Sequence, residues 1–147
     1  MIKKYIKIKR SYLLGKYEEV IKHEGKFSEP ILALIENKFS GKVVNLDKIK
    51  FNESFRQIES YSKTSGREET LTLAIPRVAR LVYTLRRKKD IVHVKTVNPD
   101  SINACYCVAA CNWMFLEIAL LLLEINEKEI HNILKLILEK KVPIVEN

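Results

Sequence analysis

Apolar residues recur at intervals of three and four along most of this 147-residue chain, and that spacing marks one face of an α-helix. Only four glycines and four prolines are present to interrupt long elements. A β-sandwich would need many short strands joined by turn residues. The pattern therefore predicts an all-α bundle of about five to six helices, with a core sufficient for one domain.

The order of the predicted elements follows from their apolar stripes and from helix-terminal signals. Gly25 and Gly41 are expected to end helices, and Ser28-Glu29-Pro30 to start one with a hydroxyl cap and an early proline. Pro76 is expected either to start or to kink its helix, and Asn126 is expected to cap the last helix. The predicted helices span residues 11–23, 28–41, 52–61, 67–89, 99–125 and 127–140, with a loop at 62–66 and a linker at 88–99.

The two termini leave alternatives open. Residues 2–9 alternate lysine with isoleucine, which predicts either a short edge strand or a frayed basic start. Residues 142–145 are predicted to be extended, so a short extended segment is considered at either end. We interpret residues 1–147 as a single domain, with the alternative that 127–147 begins an appended helix-turn-helix or winged module.

Several classes of function find no support in the sequence. It contains no glycine-rich phosphate loop, no His-Glu-x-x-His and no Gly-x-Ser-x-Gly. Cys105, Cys107 and Cys111 lie on one predicted helix without a second ligand pair, so we expect small, reduced core residues and neither a metal nor a cofactor. The start lacks the pattern of a secretory signal, and residues 116–125 suit a buried core helix better than a membrane span. We therefore expect a cytoplasmic protein.

The formal net charge of +8 favours an anionic partner, whether nucleic acid, a membrane surface or an acidic protein. The densest positive charge lies in residues 85–93, between two predicted helices. Arginine can hold a phosphate with two parallel hydrogen bonds, and histidine exchanges a proton near neutrality. Arg86 with His93 is thus a minimal set for metal-independent RNA cleavage, although a basic helix end is also commonly a solvated surface.

This stretch resembles the HEPN superfamily, whose motif is an arginine, often followed by a polar residue, with a histidine after a gap of about four to six residues. Arg86 to His93 has a gap of six, with Arg87 in the polar position. The alternative spacing starts at Arg87, with Lys88 in that position. The motif joins two helices of an all-helical chain, as in that family.

The resemblance implies a homodimer that brings two motifs together and acts on RNA as an endoribonuclease of a defence or toxin system. It implies that Arg86 binds phosphate and that His93 acts as acid and base. Arg87, Lys88, Lys89 and Lys95 are the expected nucleic-acid contacts. The alternative is a non-catalytic nucleic-acid-binding or dimerisation module with a basic surface. An acidic protein, such as a neutralising antitoxin, is a further expected partner.

Overall fold

The computed structural model describes residues 2–43, 49–91 and 100–138, and within these ranges the chain is helical with no strand. Three segments, α4, a π-helical segment and α5, follow one another without a break, so the described chain forms six rods. The predicted all-α bundle is confirmed. The elements are α1 (Ile2–Leu13), α2 (Tyr17–Ser40), α3 (Phe51–Glu59), α4 (Gly66–Glu69), the π-helical segment (Thr70–Ala74), α5 (Ile75–Ile91), α6 (Asp100–Leu121) and α7 (Glu127–Leu138).

The N-terminal region is helical, so the edge-strand alternative for residues 2–9 is wrong. Tyr5 and Ile8 are buried on one side of α1, while neighbouring lysines reach solvent. The predicted helix over 11–23 is also wrong, because the chain turns at Gly15. Its φ of 71° is a left-handed conformation that glycine adopts without a steric penalty, and the Lys16 N–H closes the turn onto the Ser11 carbonyl at 2.9 Å.

Helix α2 runs straight through the predicted stop at Gly25 and the predicted start at Ser28-Glu29-Pro30, so both predictions are wrong. A proline inside a helix costs about 3 kcal/mol. Full burial of one large apolar side chain contributes about 1.5–3 kcal/mol, and α2 fully buries several of them. Burial therefore outweighs the proline. The completely buried apolar side chains of α2 include Val20, Phe27, Ile31, Leu32 and Ile35.

The C-terminal end of α2 lies where the sequence predicts it. Gly41 has a φ of 69°, and its N–H bonds the Asn37 carbonyl at 3.0 Å, so it caps the last turn as glycine commonly does. This long helix makes contact with most of the bundle: α2 packs against α1, α3, α5 and α6. The predicted third helix is confirmed as α3, with Phe55 and Ile58 buried.

The sequence predicts that Pro76 starts or kinks its helix. In the rod from α4 to α5, the regular α-helical winding is interrupted just before Pro76 by the π-helical segment. Ser65 caps the start by accepting a hydrogen bond from the Glu68 N–H. The Ile75 N–H then bonds the Thr70 carbonyl, five residues back. Pro76 has no N–H to donate, and the wider turn inserts one extra residue ahead of it.

Helix α6 is shorter than the predicted 99–125 and ends at Leu121. Asn126 caps α7 as predicted, accepting a hydrogen bond from the Glu129 N–H at 2.8 Å. Of the helices in the described chain, one passes a length and composition test for a membrane span, namely Ser101–Leu121 in α6, and 44% of that stretch is buried inside the bundle. The core helix of a soluble protein passes the same test. The predicted linker begins inside α5, and residues 142–145 lie outside the described residues.

Helices α2 and α5 come into close contact at Gly25. A Cβ atom placed there would overlap Cδ of Arg86 and would lie 2.9 Å from its Cβ and 3.0 Å from its Cγ. The aliphatic stem of Arg86 therefore occupies the space that any other residue at position 25 would fill.

We predict that Gly25→Ala lowers the free energy of unfolding. Overpacking a core costs about 1–3 kcal/mol, which exceeds the gain of about 1 kcal/mol from replacing glycine with alanine inside a helix. The measurement is urea unfolding followed by circular dichroism. In an Arg86→Ala background the loss should shrink, because the Cγ and Cδ atoms are gone.

Gly66→Ala is the matched control, because a Cβ at Gly66 meets no atom within 4 Å. Its unfolding free energy should stay unchanged or rise slightly. Equal effects at the two glycines would mean that the contact with Arg86 does not restrict position 25.

Candidate nucleic-acid interface

Helix α5 directs its last arginines to two different sides. Ile75, Ala79 and Val82 are fully buried, and the same spacing of four and three places Arg86 next on that inward side. Arg86 is half-buried, with its stem across Gly25. Arg87 lies about 100° further around the helix and is exposed. The two candidate phosphate-binding residues therefore do not share a surface.

A polar groove with a volume of ≈ 170 Å³ lies between α3 and α5. We call it the arginine groove. Among the described residues that line it, arginine is the only charged type, so none of them is a carboxylate that could neutralise the three cations. Its lining residues are Asn52, Phe55 and Arg56 from α3, with Arg80, Tyr83, Thr84 and Arg87 from α5.

Aromatic side chains between the two helices hold the arginine groove in shape. The Arg80 guanidinium carbon lies 4.8 Å from the centre of the Phe55 ring, a cation–π contact. Phe51 and Tyr83 stack with ring centres 4.2 Å apart and an interplanar angle of 3°. These contacts fix α3 beside α5, so Arg56 is presented on the same surface as Arg80 and Arg87.

A fourth arginine marks one end of this surface. Arg77 lies one turn before Arg80 on α5, and its Nε is 3.7 Å from a carboxylate oxygen of Glu59. Its charge is thereby partly compensated. The uncompensated cations begin at Arg80 and continue toward the C-terminal end of α5.

The structure describes only part of the predicted site. Arg87 lines the arginine groove, whereas Arg86 packs on α2. Lys88 and Lys89 belong to the last turns of α5, and their side chains lie outside the described part of the chain. His93 and Lys95 also lie outside the described residues.

Sequence analysis missed Arg56 and Arg80 as members of this site. The i, i+7 spacing of Arg80 and Arg87 places them on one side of a helix and could have indicated a pair. The position of Arg56 depends on how α3 packs beside α5, which no local pattern encodes.

A second feature that sequence analysis missed is Glu24, which is 0% exposed. Neither carboxylate oxygen has a hydrogen-bond partner in the described structure, although the thiols of Cys107 and Cys111, which are weak donors, lie beside it. Burial raises the pKa of Glu24 to about 8, and the two thiols offset only part of that rise. Glu24 is thus a neutral core residue below that pH, without access to a substrate.

The cysteines follow the predicted pattern at two of three positions. Cys107 and Cys111 are buried, and Cys105 is exposed. Burial, with Glu24 nearby, raises the pKa of both buried thiols, so they are poor nucleophiles. Within the described ranges no group of three His, Cys, Asp or Glu side chains is placed to hold a metal ion.

Comparison of the chain with protein-family models, curated proteins and solved structures finds no match.

We predict that Glu24→Gln flattens the pH dependence of stability. Because the pKa of Glu24 rises from 4.5 to about 8 on folding, its contribution is fully present below pH 4.5 and is lost as pH rises through 8. The loss is at most about 1.4 kcal/mol per pH unit. Glutamine stays neutral, so the variant should match wild type at pH 4 and exceed it at pH 8, measured by urea unfolding.

Glu69→Gln serves as the control, since Glu69 is exposed and should give a curve parallel to wild type. A Glu24→Gln curve that also runs parallel to wild type would contradict a neutral, buried Glu24.

We predict that Arg87→Ala weakens binding of a labelled single-stranded RNA by about tenfold, as expected for loss of one charged hydrogen-bonding group. The slope of log affinity against log salt should fall by about 0.7, the value for one phosphate contact on a single strand. Fluorescence anisotropy across a salt series measures both quantities.

Arg77→Ala is the matched control, because it removes the same residue type from the same helix where Glu59 already compensates the charge. Its affinity and slope should stay near those of wild type. If the two variants behave alike, the arginine groove has no special role in binding.

Proposed function

We propose that this protein is a HEPN-like domain that binds RNA and cleaves it without a metal ion. The observation that carries the proposal is the arginine groove, in which Arg56, Arg80 and Arg87 converge with no carboxylate among the described lining residues. Such a groove recognises phosphate groups, because guanidinium groups pair with phosphate oxygens by two hydrogen bonds each.

The groove lies near the end of the helix that leads into the proposed catalytic stretch. Arg87 belongs to the groove, Arg86 is the preceding residue, and His93 follows after a short interval of sequence. RNA bound along the groove would therefore lie beside the end of α5 at which the Arg86–His93 stretch begins. Lys88, Lys89 and Lys95 extend the positive charge along the sequence.

The proposed reaction uses the RNA's own 2′-hydroxyl as nucleophile. Its oxygen attacks the adjacent phosphorus, its proton passes to a His93 imidazole, and a new bond joins the 2′ oxygen to phosphorus. The bond from phosphorus to the 5′ oxygen breaks, and that oxygen receives a proton from an imidazolium. The products are a 2′,3′-cyclic phosphate and a 5′-hydroxyl. DNA lacks the nucleophile and would be bound but not cut.

Arg86 has the role of stabilising charge on the phosphate in this proposal. Its stem is packed on Gly25, so few rotamers remain to be lost when its guanidinium meets a phosphate. Among the described residues the Arg86 guanidinium has no hydrogen-bond or ion-pair partner, so no carboxylate of the described chain competes with a phosphate for it.

A homodimer completes the proposal, since one His93 would act as base while its counterpart acts as acid. An RNA-cleaving domain of this kind suits a defence or toxin system in the cytoplasm. An acidic antitoxin could neutralise it by covering the arginine groove, because carboxylates pair with guanidinium groups as phosphates do.

A second candidate function is RNA binding without cleavage. It is favoured by the composition of the arginine groove, whose described lining residues include three arginines but not Arg86. A domain of this kind would hold RNA, or an acidic protein, through the same three arginines.

We predict that the protein cleaves RNA in the presence of a chelator. His93→Ala and Arg86→Gln should each lower the cleavage rate at least about 100-fold, because one acid–base or charge-stabilising group contributes on that scale. Arg86→Gln retains part of the aliphatic stem and so limits the loss of packing on α2. The readout is the rate of formation of 2′,3′-cyclic phosphate ends, alongside RNA affinity.

His131→Ala is the control, because His131 is an exposed histidine on α7 and should leave the rate unchanged. Cleavage that survives both test substitutions would refute the mechanism. Salt-dependent binding that persists without any cleavage would assign the second function.

A further inference from the structure

The outward side of α6 carries an apolar stripe that nothing in the described chain fully covers. Its members are spaced four, three, four, three, four and three residues apart, and four of them are substantially exposed: Ile102 at 76%, Tyr106 at 39%, Leu120 at 38% and Leu123, just past the helix, at 53%. Ala109 is also exposed, and Trp113 and Leu116 are half-buried. We call these seven residues the α6 seam.

The opposite side of α6 carries a second apolar stripe that is already in use. Ala104, Cys107, Cys111, Met114 and Ile118 are fully buried against the bundle. A helix that is apolar all round is normally buried all round. Within the described part of the chain, the bundle covers only one side of α6, so the other side lacks a partner there.

The lack of charge on α6 is as informative as its apolar content. Charged residues make up 30% of the chain, yet α6 contains no lysine or arginine, and its only acids are Asp100 and Glu117. A solvent-facing helix side in so charged a chain would normally carry several charges. The seam is therefore composed like an interface core, in which charged residues are depleted.

We infer that the α6 seam pairs with the α6 seam of a second copy of this chain. Alternating steps of three and four are the repeat of a two-helix coiled-coil contact, in which apolar side chains of one helix fit between those of the other. The stripe extends over about 30 Å at 1.5 Å per residue, long enough for a helix pair. Two identical seams are self-complementary, as a twofold interface requires.

An interfacial membrane helix would need different flanks. Such helices carry lysine or arginine beside a broad apolar side, and α6 has neither residue. Asn112 on α6 accepts a hydrogen bond from Tyr5 Oη at 2.5 Å, and the Tyr5 ring stacks on Phe115 with centres 4.7 Å apart. These contacts hold α1 over one flank of α6, which leaves only a narrow stripe for a partner.

This inference deepens the homodimer of the proposed function and rests on it for one point, the relative direction of the two helices. A composite site, meaning a catalytic site built from both copies of the chain, requires the residues before Asp100 of the two copies to meet. The helices would then run in parallel, with Ile102 beside its counterpart at the end nearest the proposed catalytic stretch.

The test is sedimentation velocity over a wide range of protein concentration, comparing wild type with Ile102→Glu and with Ile102→Glu/Leu120→Glu. Each substitution acts twice in a symmetric dimer and buries like charges without partners. The dimer dissociation constant should rise at least about 100-fold in the double variant. Ile102 is 76% exposed, so Ile102→Glu should leave the folding of one chain unchanged. If circular dichroism shows that Leu120→Glu disturbs folding, the single variant Ile102→Glu still tests the interface.

Leu14→Glu is the matched control, because Leu14 is an exposed leucine, at 59%, in the turn between α1 and α2. It should dimerise as wild type does. A monomeric wild-type protein, or a double variant that still dimerises, would overturn the inference. Wild-type protein that sediments with neutral phosphatidylcholine vesicles, and loses this on Ile102→Glu, would also overturn it in favour of a lipid partner.

Two further measurements separate this inference from the proposed function. In a Cys105→Ser background, Ile102→Cys should form a disulfide between copies if the helices are parallel. A dimer that depends on the seam but forms no such bond supports the interface and overturns the composite site. RNA affinity that depends on Arg87 should persist in the monomeric variant, since the arginine groove is formed within one chain. Loss of RNA cleavage in that same variant supports a site shared between copies.

Discussion

The close approach of α5 to α2 at Gly25 sets which sides of α5 face the core and which face α3. Because position 25 has no side chain, the stem of Arg86 lies across the α2 backbone, and this contact fixes the rotation of α5 about its own axis. Ile75, Ala79 and Val82 then face the core, while Arg80 and Arg87 face α3. The adjacent residue, Glu24, points to α6 instead, so a single turn of α2 contacts two neighbouring helices.

Local signals predicted helix ends well where the chain itself provides the cap. Gly41 and Asn126 function as expected because their hydrogen bonds join residues three or four apart. Gly15 and Gly25 show where such signals fail. The first permits a left-handed turn and the second permits a close helix crossing, and nothing near them in the sequence tells these roles apart. The serine and proline at 28–30 are typical of a helix start, but the burial of α2 on several sides keeps the helix continuous.

The candidate site was predictable in its charge and only partly in its geometry. The density of cations in residues 85–93 was visible, and so was the family-like motif. Which arginines share a surface was not, because neighbouring residues on a helix point about 100° apart and because Arg56 arrives from another helix. Glu24 follows Val20 by four residues and precedes Phe27 by three, so its position in the pattern is that of a core residue. Its residue type obscured this, since glutamate is seldom buried without a partner.

The π-helical segment before Pro76 has a consequence for how this chain tolerates change in length. The wide turn takes up one additional residue, which in an ordinary helix would rotate everything downstream by about 100° relative to the capped start at Ser65. Deletion of a single residue from Thr70–Ala74 would therefore be absorbed by a return to ordinary helical winding. Arg86 would still lie over Gly25, and Arg87 would still line the groove. The wide turn is thus the place where the rod from α4 to α5 can lose one residue without changing which side of α5 faces the core.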